Sequence, residues 1–126
     1  MAELGTRGNV MGPQPIARRF EVPPAMIKTA EELLRLLLAG EKEAIAALAM
    51  PSAEPEVAKF AAAVPQAACD GYEIIASARV NLHHYVKARL IGPRPLTLQF
   101  RLGEHQGQWR VWELTDLTGR RGAWTR

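Results

Sequence analysis

The side chains of this chain best suited to move a proton near neutral pH stand together in "HHY", His83 to Tyr85. Histidine titrates close to neutrality, and a phenol can donate a hydrogen bond to a developing oxyanion. If the segment is a strand, His83 and His84 point to opposite faces, so only one of them can serve a given ligand. Two further groups could do acid–base work. Asp70 and Tyr72 supply a carboxylate and a phenol two residues apart, the pair of types that abstracts a proton and holds an enolate. Glu113 shares strand parity with Trp109 and Val111. On a core-facing side it would need a partner or a raised pKa, whereas a twist or bulge near the strand end would return it to water. Asp70, Tyr72, His84 and Glu113 are therefore the catalytic candidates. Metal binding would need His105, Glu113 or Asp116 to converge with these histidines. The spacing matches no zinc pattern, no phosphate loop and no Ser-His-Asp arrangement, so neither metal nor cofactor is expected.

A second set of residues suits recognition. Arg79, Lys87, Arg89 and Arg101 fall on the polar parity of three successive strand patterns, with Tyr85 among them. In "WRVWEL" (Trp109–Leu114) one tryptophan is expected to face the core. Trp112 is then placed on the opposite face beside the basic stripe, covered by a terminal arm or a partner. Arginine and tryptophan are favoured interface anchors. "IARRF" adds Arg18, Arg19 and Phe20, and "TGRRGAWTR" makes a basic tail. Sheets that bind RNA carry more exposed aromatics than this one offers, so nucleic acid is not the expected partner.

These groups need elements to position them. Thr29 and Glu32 read as a capping box, followed by Ala30, Leu33, Leu34, Leu37 and Leu38 at helical spacing. The spacing predicts a helix over about 30–39, or from just after Pro24, stopped by Gly40. A second helix follows at about 41–49. A third runs over about 53–64, with Ser52 as its N-cap and Pro65 as its end or kink. From Glu73 the period changes to two. Ile74, Ala76, Ala78 and Val80 alternate with polar positions, as do Val86, Ala88 and Leu90, then Leu96, Leu98, Phe100 and Leu102, and a last strand carries "QWRVWELTD". The expected fold is α+β, with three helices packed on one face of a four-stranded antiparallel meander. The chain divides into an irregular Pro/Gly-rich arm (1–24), a domain (25–116) and a basic tail (117–126).

The leucine-rich first helix, "LAGEKEAIAAL" (Leu38–Leu48) and the closing "LTLQFRLGEHQGQWRVWEL" (Leu96–Leu114) resemble the NTF2-like superfamily. The resemblance spans about residues 28–116. It implies a cone-shaped α+β domain of a kind used by ketosteroid isomerases, small polyketide cyclases and non-catalytic modules. One departure is that "MPSAEPEV" (Met50–Val57) replaces the hairpin this superfamily usually places between its second and third helices.

With 126 residues the chain has room for one core. Residues 24–70 carry seven acidic side chains against four basic ones, and residues 71–126 carry nine basic against four acidic. Such asymmetry suits an anionic partner or mutual attraction of two parts of the fold. The longest helical apolar run, Leu33–Ala39, contains Arg35 and is too short for a membrane span. A lone Cys69 excludes an intrachain disulfide, which makes the cytoplasm the expected compartment. The expectation is a non-catalytic interaction or assembly module, a homodimer or part of a larger protein complex. It would bind through the basic face and the arms. The alternatives are an isomerase- or cyclase-type enzyme with a small apolar ligand, and single-stranded nucleic-acid binding.

Overall fold

Pro24 opens the first helix, where a missing N–H costs nothing and φ is already helical. The computed structural model describes residues 22–119, in the order α1 (Pro24–Ala39), α2 (Lys42–Leu48), α3 (Glu54–Ala67), β1 (Gly71–Val80), β2 (His83–Ile91), β3 (Leu96–His105) and β4 (Gln108–Asp116). The capping box at Thr29 does not form. Thr29 lies inside α1 and its hydroxyl donates to the Ala25 carbonyl at 3.0 Å. Gly40 ends the helix as expected, with φ of 73° and its N–H on the Leu36 carbonyl at 2.9 Å.

The start of α3 also differs from the expectation. Ala53, not Ser52, is its N-cap, and the Ser52 hydroxyl donates to the Trp112 carbonyl at 3.4 Å. Pro65 does not end this helix, which continues to Ala67. The link that replaces the usual hairpin is tied to the sheet instead. Ala49 makes a parallel bridge to Val111, and the Met50 N–H donates to the Val111 carbonyl at 2.8 Å. The free edge of β4 is thereby partly covered.

The four strands form an antiparallel meander in the order β1-β2-β3-β4. Val86, Ala88, Leu90, Leu98, Phe100 and Leu102 line the face that meets the helices, opposite Leu33, Leu34, Leu37, Val57 and Phe60, and all are buried. Leu117 is buried beyond the end of β4, its N–H on the Thr97 carbonyl at 2.8 Å. The folded body therefore extends past the boundary expected at residue 116.

Two β-bulges decide which residues share a face. In β1 the register shifts between Ile74 and Ala76, and in β4 one extra residue, Trp112, sits between Val111 and Glu113. A bulge reverses the parity of everything beyond it. Ala76, Ala78 and Val80 consequently leave the expected core face and stand opposite Lys87, Tyr85 and His83. Arg79, expected in the basic stripe, pairs with His84 on the helix side. Glu113 pairs with Arg101 on the outer side, while Leu114 turns inward.

Candidate interaction surface

The outer face of the sheet, away from the helices, is read row by row from the strand register. One row is Ala78, Tyr85, Arg101, Glu113, and the next is Ala76, Lys87, Gln99, Thr115. Beyond it Glu73, Arg89 and Thr97 stand side by side. Of the expected stripe, Lys87, Arg89 and Arg101 are together and Arg79 is not. Arg18, Arg19 and Phe20, and the tail from Arg120, lie outside the described residues.

Arg101 is the hub of this face. Its Nη1 lies 2.8 Å from His83 Nδ1, and its Nη2 lies 3.5 Å from Glu113 Oε2. Trp112 is beside it, with the guanidinium carbon 5.8 Å from the ring centroid, and His105 meets the same indole edge-on at 6.0 Å. The bulge holds Trp112 there. The indole lies against Gly103, where an added Cβ would stand 2.9 Å from Trp112 Nε1. A side chain at this point would have to displace the indole. Both Arg101 Nε and Trp112 Nε1 are buried without an acceptor among the described residues. Lys87, in the neighbouring row, is only 8% exposed.

On the β1–β2 side of this polar centre the surface is apolar. Ile75 is 37% exposed, Val80 53%, Leu82 80% and Ile91 42%. These are the exposed large hydrophobic side chains among the described residues, and all four belong to the β1–β2 hairpin. Sequence reasoning missed them because it assigned Val80 to the core and Ile75 to a polar row.

The four catalytic candidates do not converge. Asp70 is exposed at the start of β1, and its N–H donates to the Ile91 carbonyl at 2.9 Å. Tyr72 packs on the core, partly buried. His84 is at the opposite end of the sheet, and Glu113 is on the other face. An apolar cleft of about 280 Å³ lies between α2 and α3, lined by Ile45, Ala49, Val57, Ala58 and Ala61 among others, and holds none of the four. No group of three or more His, Cys, Asp or Glu side chains among the described residues could hold a metal ion. No helix among them is long and apolar enough to cross a membrane.

His84 has a structural role that is open to test. Its ring meets Trp109 edge-on at 5.6 Å, and its pKa is lowered by burial first and by the Arg79 charge second. A lowered pKa in the folded state means that the unfolded chain binds the proton more readily. Stability is then present above the ordinary histidine pKa of about 6.5 and is lost as pH falls through the folded value. Urea unfolding between pH 7.5 and pH 5 is expected to show this decline, and His84→Gln to flatten it. An unchanged slope in the variant would refute the assignment.

Comparison with known proteins supports the architecture. A solved NTF2-like designed protein, Rd1NTF2_05 carrying five substitutions, superimposes with a TM-score of 0.57 at 14% identity, over 71% of this chain and 94% of its own. The fold is NTF2-like, three helices followed by an open four-stranded antiparallel sheet. No family model matches the chain and no curated protein does.

Proposed function

We propose that this NTF2-like domain is a non-catalytic interaction module that receives a protein partner on the outer face of its sheet, as a homodimer or within a larger complex. The observation that carries this reading is a single surface with an interface composition. It combines a cationic and aromatic centre (Lys87, Arg101, Tyr85, Trp112) with a border of exposed Ile75, Val80, Leu82 and Ile91. Exposed apolar side chains beside polar groups mark docking sites, and arginine, tyrosine and tryptophan are enriched among the residues that anchor such sites. The terminal arms, with Arg18, Arg19 and Phe20 and the basic tail, extend the contact. A reducing cytoplasm suits the chain, whose one cysteine is a free thiol.

A photo-crosslinking residue at Ala78, in the row of Tyr85 and Arg101, tests the reading in cells. Discrete protein adducts are expected from this position and not from Lys28, exposed on α1. Equal yields from the two positions, or none from Ala78, would refute the outer face as the interface.

A further inference from the structure

We propose that the groove between α3 and β4 is a docking site for the chain's own residues 120–126, with Trp124 on its apolar floor and arginines on its acidic rim. This goes beyond the reading of the outer face and does not depend on it. The groove is built by α3 and by Leu114 and Asp116, which stand opposite Phe100 and Leu98 in the strand register.

The groove has a volume of about 170 Å³ and is lined by Glu56, Lys59, Phe60, Ala63, Leu114 and Asp116. Phe60 and Leu114 are buried and make the floor, and Ala63 leaves room above them. The rim carries two carboxylates, Glu56 and Asp116, against one ammonium, Lys59. Glu56 is exposed and in no ion pair among the described residues. An apolar floor with a net negative rim suits a segment that carries an aromatic ring and cations.

Residues 120–126 are such a segment. They read RRGAWTR, with three arginines, one tryptophan and no acid. The body also delivers them to the right place. Leu117 is buried with its N–H on the Thr97 carbonyl, and the Thr118 hydroxyl accepts from the Thr97 N–H at 3.1 Å. The Thr118 N–H donates at 2.9 Å to Oδ1 of Asp116, a residue of the groove itself. The chain is thus pinned to the body until two residues before the segment begins. Gly119 then takes a left-handed conformation, with φ of 77°, at which the chain reverses without a Cβ penalty. One side of β4 is taken by β3, so a reversed chain has the α3 side open to it. Five residues separate Gly119 from Trp124 and span up to about 17 Å. Leu114 is two residues, about 7 Å, back from Asp116 along the strand, well within that reach. The short tether favours the chain's own segment over that of a second copy, because it sets a local concentration of the order of millimolar. Guanidinium groups at Glu56 and Asp116 would make charge-assisted hydrogen bonds, about twice as strong as neutral ones.

The test uses the full chain. A photo-crosslinking residue in place of Trp124 is expected to give adducts within one chain, mapped by mass spectrometry to Phe60, Ala63 or Leu114. Trypsin is expected to cut after Arg120 and Arg121 at least about tenfold more slowly in the native chain than in an isolated peptide of residues 116–126, since cleavage follows the population of the open form. Ala63→Gln fills the groove from an exposed helix position and is expected to raise the native rate about tenfold. Glu56→Gln is expected to raise it by a smaller factor. Ala62→Gln, which faces the cleft on the α2 side of the same helix, is expected to leave it unchanged. Adducts on other elements, adducts that join two chains, or no adduct at all would overturn the docking site. So would a wild-type cleavage rate in Ala63→Gln, or an equal rise in Ala62→Gln.

Discussion

Phe100→Ala is expected to destabilise the domain by about 3–5 kcal/mol, the range for removing a buried aromatic ring from a packed core. Phe100 is 1% exposed and sits in β3, between Val86 of β2 and Leu114 of β4. Its loss leaves a cavity where the two central strands meet the helices, and the surrounding side chains come from three strands that cannot all move inward. Total stabilities of small domains are about 5–15 kcal/mol, so the variant stands near the limit of folding. Urea unfolding followed by circular dichroism would show a large drop in midpoint with an unchanged slope. A shift under about 1 kcal/mol would mean that the site collapses around the missing ring, and that the core is less tightly interlocked than the strand pairing implies.

Gly92→Ala is expected to have the next largest effect, through backbone and not through a cavity. A Cβ at Gly92 would stand 2.9 Å from the Ala68 carbonyl oxygen and 2.9 Å from Cys69 Cα. Neither atom belongs to a flexible side chain, so the end of α3 and the loop after β2 must part. Overpacking of this kind costs about 1–3 kcal/mol. The same movement would loosen the Cys69 thiol, which sits 3.6 Å from the Leu90 carbonyl and 3.7 Å from the Arg94 carbonyl. The expected result is a lower unfolding midpoint together with faster reaction of Cys69 with a thiol reagent under native conditions. Wild-type stability and wild-type thiol reactivity together would show that the contact is not rigid.

Two local features were written in the chain yet easily misread. Ile74 and Ile75 are consecutive, and both cannot face the core of a regular strand. Val111 and Leu114 are three apart, and both are buried, which only an extra residue between them allows. A strict alternation carried through these places puts Glu113 and Val80 on the wrong side and keeps Arg79 in the stripe. Pro65 misleads for another reason. Proline disrupts a helix mainly through the residue four positions before it, and the last turn of α3 tolerates it because few bonds remain to be lost.

The sequence by itself determined the class and order of elements, because hydrophobic periodicity is a local property: 3.6 in the first half, two in the second, with Gly40 between the first two helices. It also determined that cations and a tryptophan lie on the polar side of the final strands, since Lys87, Arg89 and Arg101 keep their parity through regular segments. The tertiary structure alone decided which of these groups meet. Arg101 reaches His83 and Glu113 across three strands, Trp112 settles on Gly103, and Lys87 is left only 8% exposed on the outer face. The catalytic candidates Asp70, Tyr72, His84 and Glu113 are likewise dispersed by topology. The reason is physical: pairing register and bulges are set by the summed burial of whole strands against the helices, and no single residue type carries that sum.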